Sequence, residues 1–177
     1  MALTAAALGM SLVLGTAFLL IQHFRPAVGS LDHPAHPMTD SQTMAQVLEP
    51  AKQIVGIAQL RAATAGYMLM SCRNLRDPPY QGAVYLDFQM STTTKGEAPV
   101  YLQKIADTLV ADGWTEGLPP NQHPFGHTVL KNGVTAIFYQ NPDQPSFGTM
   151  QLYGECRNSN DHARDSTAWT DVTNQLH

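Results

Sequence analysis

Between Ala2 and Gln22 the chain carries no charged side chain and is built mainly from Ala, Leu, Val, Ile, Met and Phe. The run ends at Gln22-His23-Phe24-Arg25-Pro26. Coiled into a helix it is about 30 Å long, the thickness of a bilayer core. A helix packed on a soluble core would carry a polar stripe along one side, and no such amphipathic pattern breaks this run. A cleaved secretory signal would begin with a basic stretch, hold a shorter apolar core and end at small residues. No Lys or Arg precedes the run, and Arg25 lies just before the small residues Ala27-Val28-Gly29. No cysteine stands near its end to take a lipid. We therefore expect residues 1–25 to form a retained transmembrane signal-anchor, with residues 2–22 in the membrane.

Residues 26–39 follow as a linker, with Pro26, Gly29, Pro34 and Pro37 holding it extended. The rest of the chain is long enough for one domain of ordinary size. With 14 acidic and 10 basic side chains and no basic cluster, it is a poor match for nucleic acid. Two cysteines exclude a disulfide-dense mini-protein and a four-cysteine zinc site.

From Asp40 to about Ala63, apolar residues recur at helical spacing: Met44, Val47, Leu48, Ala51, Val55, Ala58 and Ala62. Thr39 or Asp40 can cap the start, and Pro50 predicts a kink or two shorter helices. Tyr67 to Cys72 alternates, with Met68, Met70 and Cys72 on one side. Gln81 to Met90 is the clearest strand, with Val84, Leu86, Phe88 and Met90 facing the core and Tyr85, Asp87 and Gln89 facing water. A second helix runs from about Ala98 to Asp112, with Pro99 in its first turn and Gly113-Trp114 closing it. Strands follow at His127–Lys131, Val134–Gln140 and Thr149–Cys156, the first two joined by the tight turn Asn132-Gly133. This order predicts an α+β domain over residues 40–156, with helices on one face of an antiparallel sheet. Residues 157–177 read as a polar C-terminal tail. Within it, Ser166 can cap a short helix presenting Trp169, Val172 and Leu176 to its own body or to a partner, and a helix so short can equally stay unformed.

Cys72 and Cys156 each end a strand, on the parity of its apolar residues, so both are expected to point to the core. An exported chain with such a pair reads as bridged, and the crosslink would close a loop of about 85 residues. The alternative is two reduced core cysteines. This reading outweighs Arg25, which alone would put the body in the cytoplasm by the positive-inside rule. The domain is accordingly expected on the extracytoplasmic side of the plasma membrane.

Chemistry-bearing constellations are sparse. His33 and His36 sit in a Pro-rich loop. His123 and His127 flank Pro124-Phe125-Gly126 and are the better metal candidates, since they lie on the folded body, although nothing sets them on one helix face. Asp87 and Glu155 are outward carboxylates that could serve acid–base chemistry only across a shared cleft. Nucleophile-elbow, phosphate-loop and cofactor motifs are missing, so no cofactor is expected.

One further pattern is informative. The pieces are Tyr67, Ser71-Cys72, Asn74 and Pro78-Pro79-Tyr80-Gln81-Gly82, then the helix Tyr101-Leu102 to Leu109 ending in Gly113-Trp114. Lys131-Asn132-Gly133-Val134 and Gly148 to Leu152-Tyr153-Gly154-Glu155-Cys156 complete them. Together they resemble a family of small exported envelope proteins of actinobacteria, mycobacterial ones above all, commonly labelled lipoproteins. The resemblance spans residues 67–156. It implies an extracytoplasmic α+β domain with a disulfide and supplies no catalytic residues. The chain departs from lipoprotein members in lacking the cysteine for lipid attachment.

These features predict a membrane-anchored, non-enzymatic interaction module, an accessory subunit with a membrane or envelope protein partner. The alternative is a carrier or sensor of a small ligand, lipid or metal. That would require the sheet and the Ala98–Asp112 helix to part, with Met68, Met70, Met90 and Met150 lining the gap.

Overall fold

The computed structural model describes residues 34–74, 76–90, 97–123 and 125–176. The chain divides into two units, Met1–Ala35 and His36–His177. The expected anchor lies outside the described residues. Among those described, no helix is long and apolar enough to cross a membrane.

Helix α1 spans Asp40–Ile57. Thr39 caps it reciprocally with Gln42: the Gln42 N–H donates to Thr39 Oγ1 at 3.3 Å, and the Thr39 N–H donates to Gln42 Oε1 at 2.9 Å. Pro50 sits inside this single helix rather than dividing it. The buried residues Val47, Leu48, Ala51, Ile54 and Val55 lie on both sides of Pro50, so packing holds the helix through the lost hydrogen bond. The helix also stops short of Ala63. Strand β1 already begins at Arg61 and runs to Ser71, paired along its length with β2, Tyr80–Gln89. Pairing overrides the helical composition of Ala62-Ala63-Thr64-Ala65.

Helix α2, Ala98–Ala111, buries Ala98, Leu102, Ile105, Ala106 and Leu109, while Val110 stays exposed. The Trp114 N–H folds back to the Leu109 carbonyl at 3.0 Å, and its indole is buried. Lys131 Nζ donates to the Asp112 carbonyl at 2.7 Å, placing a cation at the negative end of the helix. Next come β3 (Thr115–Glu116), β4 (His127–Lys131), β5 (Val134–Gln140), β6 (Phe147–Tyr153) and β7 (Thr170–Asp171). A 3-10 turn at Thr173–Gln175 follows. Asn132 and Gly133 take φ of 50° and 78° in the turn between β4 and β5, the left-handed conformations that such a hairpin needs.

The strands form one antiparallel sheet in the order β3-β4-β5-β6-β2-β1-β7. Both helices contribute to one core with Val84, Leu86, Phe88, Val129, Ala136, Phe138, Met150 and Leu152. These sheet residues share one face by register, so the α+β architecture with helices on one face is as expected.

Two further expectations are corrected. In β1, Ala65, Tyr67 and Leu69 face the core, and Met68, Met70 and Cys72 take the opposite parity. Both parities of this strand are apolar, so alternation alone could not choose between them. Residues 157–177, read as a polar tail whose short helix could dock on its own body, meet a partner or stay unformed, dock on the body within the same compact unit but form no α-helix. Thr170 and Asp171 pair with Tyr67 and Gly66 at the β1 edge, and Val172 and Leu176 are buried in the core. An unpaired strand edge offers backbone partners that a helix of ten residues does not.

Candidate functional site

The face of the sheet opposite the helices carries an interlocked set of polar and aromatic side chains. By register, Gly66, Tyr85, Gln151, Ile137 and Thr128 form one row across the strands. Thr64, Asp87, Thr149 and Tyr139 form the next. Tyr85 OH donates to Asp87 Oδ2 at 2.5 Å, and Thr149 Oγ1 donates to Asp87 Oδ1 at 2.7 Å. Asn141 Nδ2 donates to Thr149 Oγ1 at 3.3 Å. Tyr153 OH donates to Gln151 Oε1 at 2.9 Å, and Gln151 Nε2 donates to Tyr139 OH at 3.2 Å. Burial first, and then Asp87, push the Tyr85 hydroxyl up to about 12. Thus each Asp87 oxygen accepts one hydrogen bond, which fixes Tyr85 and Thr149 against it.

His123 stacks on Tyr139, ring centroids 3.5 Å apart and planes 3° from parallel. His127 stacks on Phe138 at 5.5 Å, and the Glu116 carboxylate lies 3.6 Å from its Nδ1. Phe138 and Tyr139 are consecutive in β5 and project from opposite faces of the sheet. The two imidazoles therefore pack on different sides of the strand and do not converge on one point. Among the described residues, no three His, Cys, Asp or Glu side chains are grouped to hold a metal.

Glu155 is drawn to the helix side. Gln46 Nε2 of α1 donates to Glu155 Oε2 at 2.9 Å, and Arg157 does so at 3.0 Å. Asp87 and Glu155 are thus separated by the sheet and cannot share a cleft. The methionines divide in the same way. Met90 and Met150 are buried in the core, whereas Met68 and Met70 belong to the open-face parity, so the four do not line one cavity.

Cys72 and Cys156 are joined by a disulfide, with Cα atoms 6.1 Å apart. Cys156 Sγ lies 3.8 Å from the amide oxygen of Gln81, the residue opposite Met70. The bridge therefore sits half-buried at the end of the sheet, on the open-face parity, and not in the helix-side core. Of the three residues expected to meet a partner, Val172 and Leu176 are core residues, 1% and 2% exposed. Only Trp169 is presented, at 46% exposure, leaning on Tyr85.

The polar lattice on the open face was missed because each residue reads singly as a solubilising group. A usable signal was present: Tyr85-x-Asp87 and Thr149-x-Gln151-x-Tyr153 place hydrogen-bonding side chains at alternate positions of two strands that pair. Outward positions that can bond one another across strands differ from outward Lys and Glu.

Fold and site together define a class: a small disulfide-bridged α+β domain, helix-covered on one sheet face and carrying a hydrogen-bonded aromatic lattice on the other. Within that class, the family described as "Putative lipoprotein LppJ" matches residues 39–175, from the α1 cap to the final 3-10 turn, and the chain belongs to it. It is 45% identical over 178 residues to the "Putative lipoprotein LppJ" of Mycobacterium tuberculosis strain H37Rv, covering 99% of this chain and 90% of that protein. It is also 45% identical over 160 residues to the Mycobacterium bovis protein of the same name, covering 89% of this chain and 82% of that one. No solved structure matches.

Proposed function

We propose that the chain is a membrane-anchored, extracytoplasmic interaction module, a non-enzymatic accessory subunit whose open sheet face docks a membrane or envelope protein partner. The observation that carries this reading is the one-sided sheet. Its helix-free face is occupied by Tyr85, Asp87, Tyr139, Thr149, Gln151 and Tyr153, fixed to one another before any partner arrives. Such fixing lowers the ordering cost of association. The engagement of both Asp87 oxygens supports a structural use of the best-placed carboxylate over a catalytic one.

The relatives' name is that of lipoproteins, which supports a place at the membrane on its extracytoplasmic side. Cys72 and Cys156 are joined to each other, and the uncharged apolar run of residues 2–22 supports tethering by that segment. The test is extraction of the full-length protein from its native membrane in mild detergent, beside Thr135→Arg and Leu130→Glu on the open face. A membrane protein that co-purifies at fixed stoichiometry with the parent chain, and is lost from the two folded variants, is the expected result. A chain that emerges alone, or a partner that both variants retain, defeats the proposal.

A further inference from the structure

On the open face, at the margin next to β7, a cavity of about 300 Å³ is lined by Trp169 and Tyr85 together with Thr64, Gly66, Asp171 and Thr173. Gly66 is built for this arrangement. A Cβ on Gly66 would stand 2.9 Å from Trp169 Cβ and 3.3 Å from its ring, so only glycine lets the indole lie down on β1. The two rings meet at 46° with centroids 5.9 Å apart, forming a corner and not a flat platform.

Among the described residues lining this corner, the charged one is acidic. Asp171 lines the cavity, its Oδ1 accepting from the Thr173 N–H at 2.9 Å, and among the described residues no lysine or arginine lines it. Behind Tyr85, its hydroxyl donates to Asp87, so negative charge also backs that ring. Aromatic faces attract cations through their quadrupole, indole most strongly, and a neighbouring carboxylate adds to the pull. A corner of two rings suits a compact, rounded cation better than a flat sugar ring, which needs a broad coplanar platform. Thr173's N–H and hydroxyl hold the Asp171 carboxyl below its ordinary range, which keeps it charged in mildly acid surroundings.

We propose that this corner is a binding site for an organic ammonium group, trimethylated or otherwise alkylated, seated against Trp169 and Tyr85 and neutralised by Asp171. This goes beyond the docking reading and does not depend on it. The same chemistry occurs in free quaternary amines and in choline-type lipid headgroups.

The experiment uses the full-length chain in a non-ionic maltoside detergent. Binding of choline is measured by calorimetry and by Trp fluorescence, with the buried Trp114 as the unchanging background. The neutral isostere 3,3-dimethyl-1-butanol is the control. Choline is expected to saturate with a dissociation constant of about a millimolar, while the isostere does not. Asp171→Asn keeps the acceptor for Thr173 and is expected to weaken choline on the order of tenfold. Gly66→Ala, which lifts the indole, is expected to abolish binding in a chain whose circular dichroism is unchanged. Phosphatidylcholine against phosphatidylglycerol, each added to the maltoside micelles, distinguishes the sources: an Asp171-dependent Trp fluorescence change with the first alone marks the lipid headgroup, and a response to free choline alone marks the soluble amine. Equal binding of the isostere, an Asp171→Asn variant of unchanged affinity, or no saturable choline signal overturns the site.

Discussion

Two tyrosines on opposite faces of the sheet show how the same side chain is used for different ends. Tyr85 places its hydroxyl on Asp87, where it is one of two donors that hold the carboxylate. Tyr67 is buried on the helix side, and its hydroxyl has no hydrogen-bond partner among the described residues. Replacing Tyr85 by Phe strips a donor from Asp87 and is expected to cost about 1–2 kcal/mol. Replacing Tyr67 by Phe removes an unsatisfied polar atom and is expected to be neutral or stabilising. Urea titrations of both variants check this, and a Tyr67→Phe loss as large as that of Tyr85→Phe would refute it. Alkaline pH extends the comparison. Burial, then Asp40's charge, push Tyr67 up to about 12 from 10.0, and burial, then Asp87, push Tyr85 equally far. In that interval the folded chain keeps phenolic protons that the unfolded chain has lost. Their contribution is fully present below pH 10.0 and falls away as pH rises toward about 12. Stability measured between these limits should decline more gently in Tyr67→Phe than in the parent chain, and parallel curves would show that the burial of Tyr67 is not what titrates.

Among the elements, β1 and the segment that closes its edge explain most of what could and could not be read from the sequence. The α1 cap, β2, α2 and the Asn132-Gly133 hairpin were legible because each is decided locally, by Thr39 and Gln42, by strict alternation, by Pro99 and Gly113, and by a turn that demands positive φ. The face of β1 was not legible, since Tyr67 and Leu69 compete with Met68 and Met70 and only the β2 register decides. Nor was the C-terminal segment. Its Trp169, Val172 and Leu176 spacing fits a helix, yet the decisive partner is a strand edge about a hundred positions earlier. That segment is also tied down before it reaches the edge. The two ring nitrogens of His162 meet Asp165 Oδ2 at 2.7 Å and Asp40 Oδ1 at 3.1 Å. The Val172 N–H then donates to the Ala65 carbonyl, and Thr173 Oγ1 accepts from the Ala65 N–H. Leu176→Ala is therefore expected to cost about 2–4 kcal/mol, as for a core leucine and not for a tail residue. Thermal unfolding by circular dichroism decides this, since an unchanged midpoint would mean that the segment is docked without contributing.

For the His36–His177 unit as a whole, the notable arrangement is a corner where distant parts of the chain are fastened together. The Met38 N–H donates to the Arg157 carbonyl, and Arg157 Nε donates to the His36 carbonyl. Asp40 accepts from Asn158 and Asn160. Tyr80 and Asn158 exchange backbone hydrogen bonds. The Cys72–Cys156 bridge spans 84 positions of sequence. Hydrogen bonds of this kind are each worth about 1 kcal/mol and form only in the folded state. The disulfide acts on the other side of the balance, because it limits how far the unfolded chain can expand. In the chain-entropy view a loop of this length is worth about 4–5 kcal/mol, a large share of the margin of a domain this size. Reduction, or Cys72→Ser with Cys156→Ser, is thus expected to lower unfolding free energy by about that amount. It should also steepen the denaturant dependence, since the unfolded chain then exposes more surface. The hydrogen-bonded corner should still form, so the reduced domain is expected to keep its far-ultraviolet spectrum in the absence of denaturant. Urea titration of oxidised and reduced protein, side by side, measures both quantities. Equal midpoints would show that the bridge merely decorates a fold held by other contacts. A large gap would mean that the domain reaches full stability only where thiols are oxidised, in agreement with the extracytoplasmic placement proposed for it.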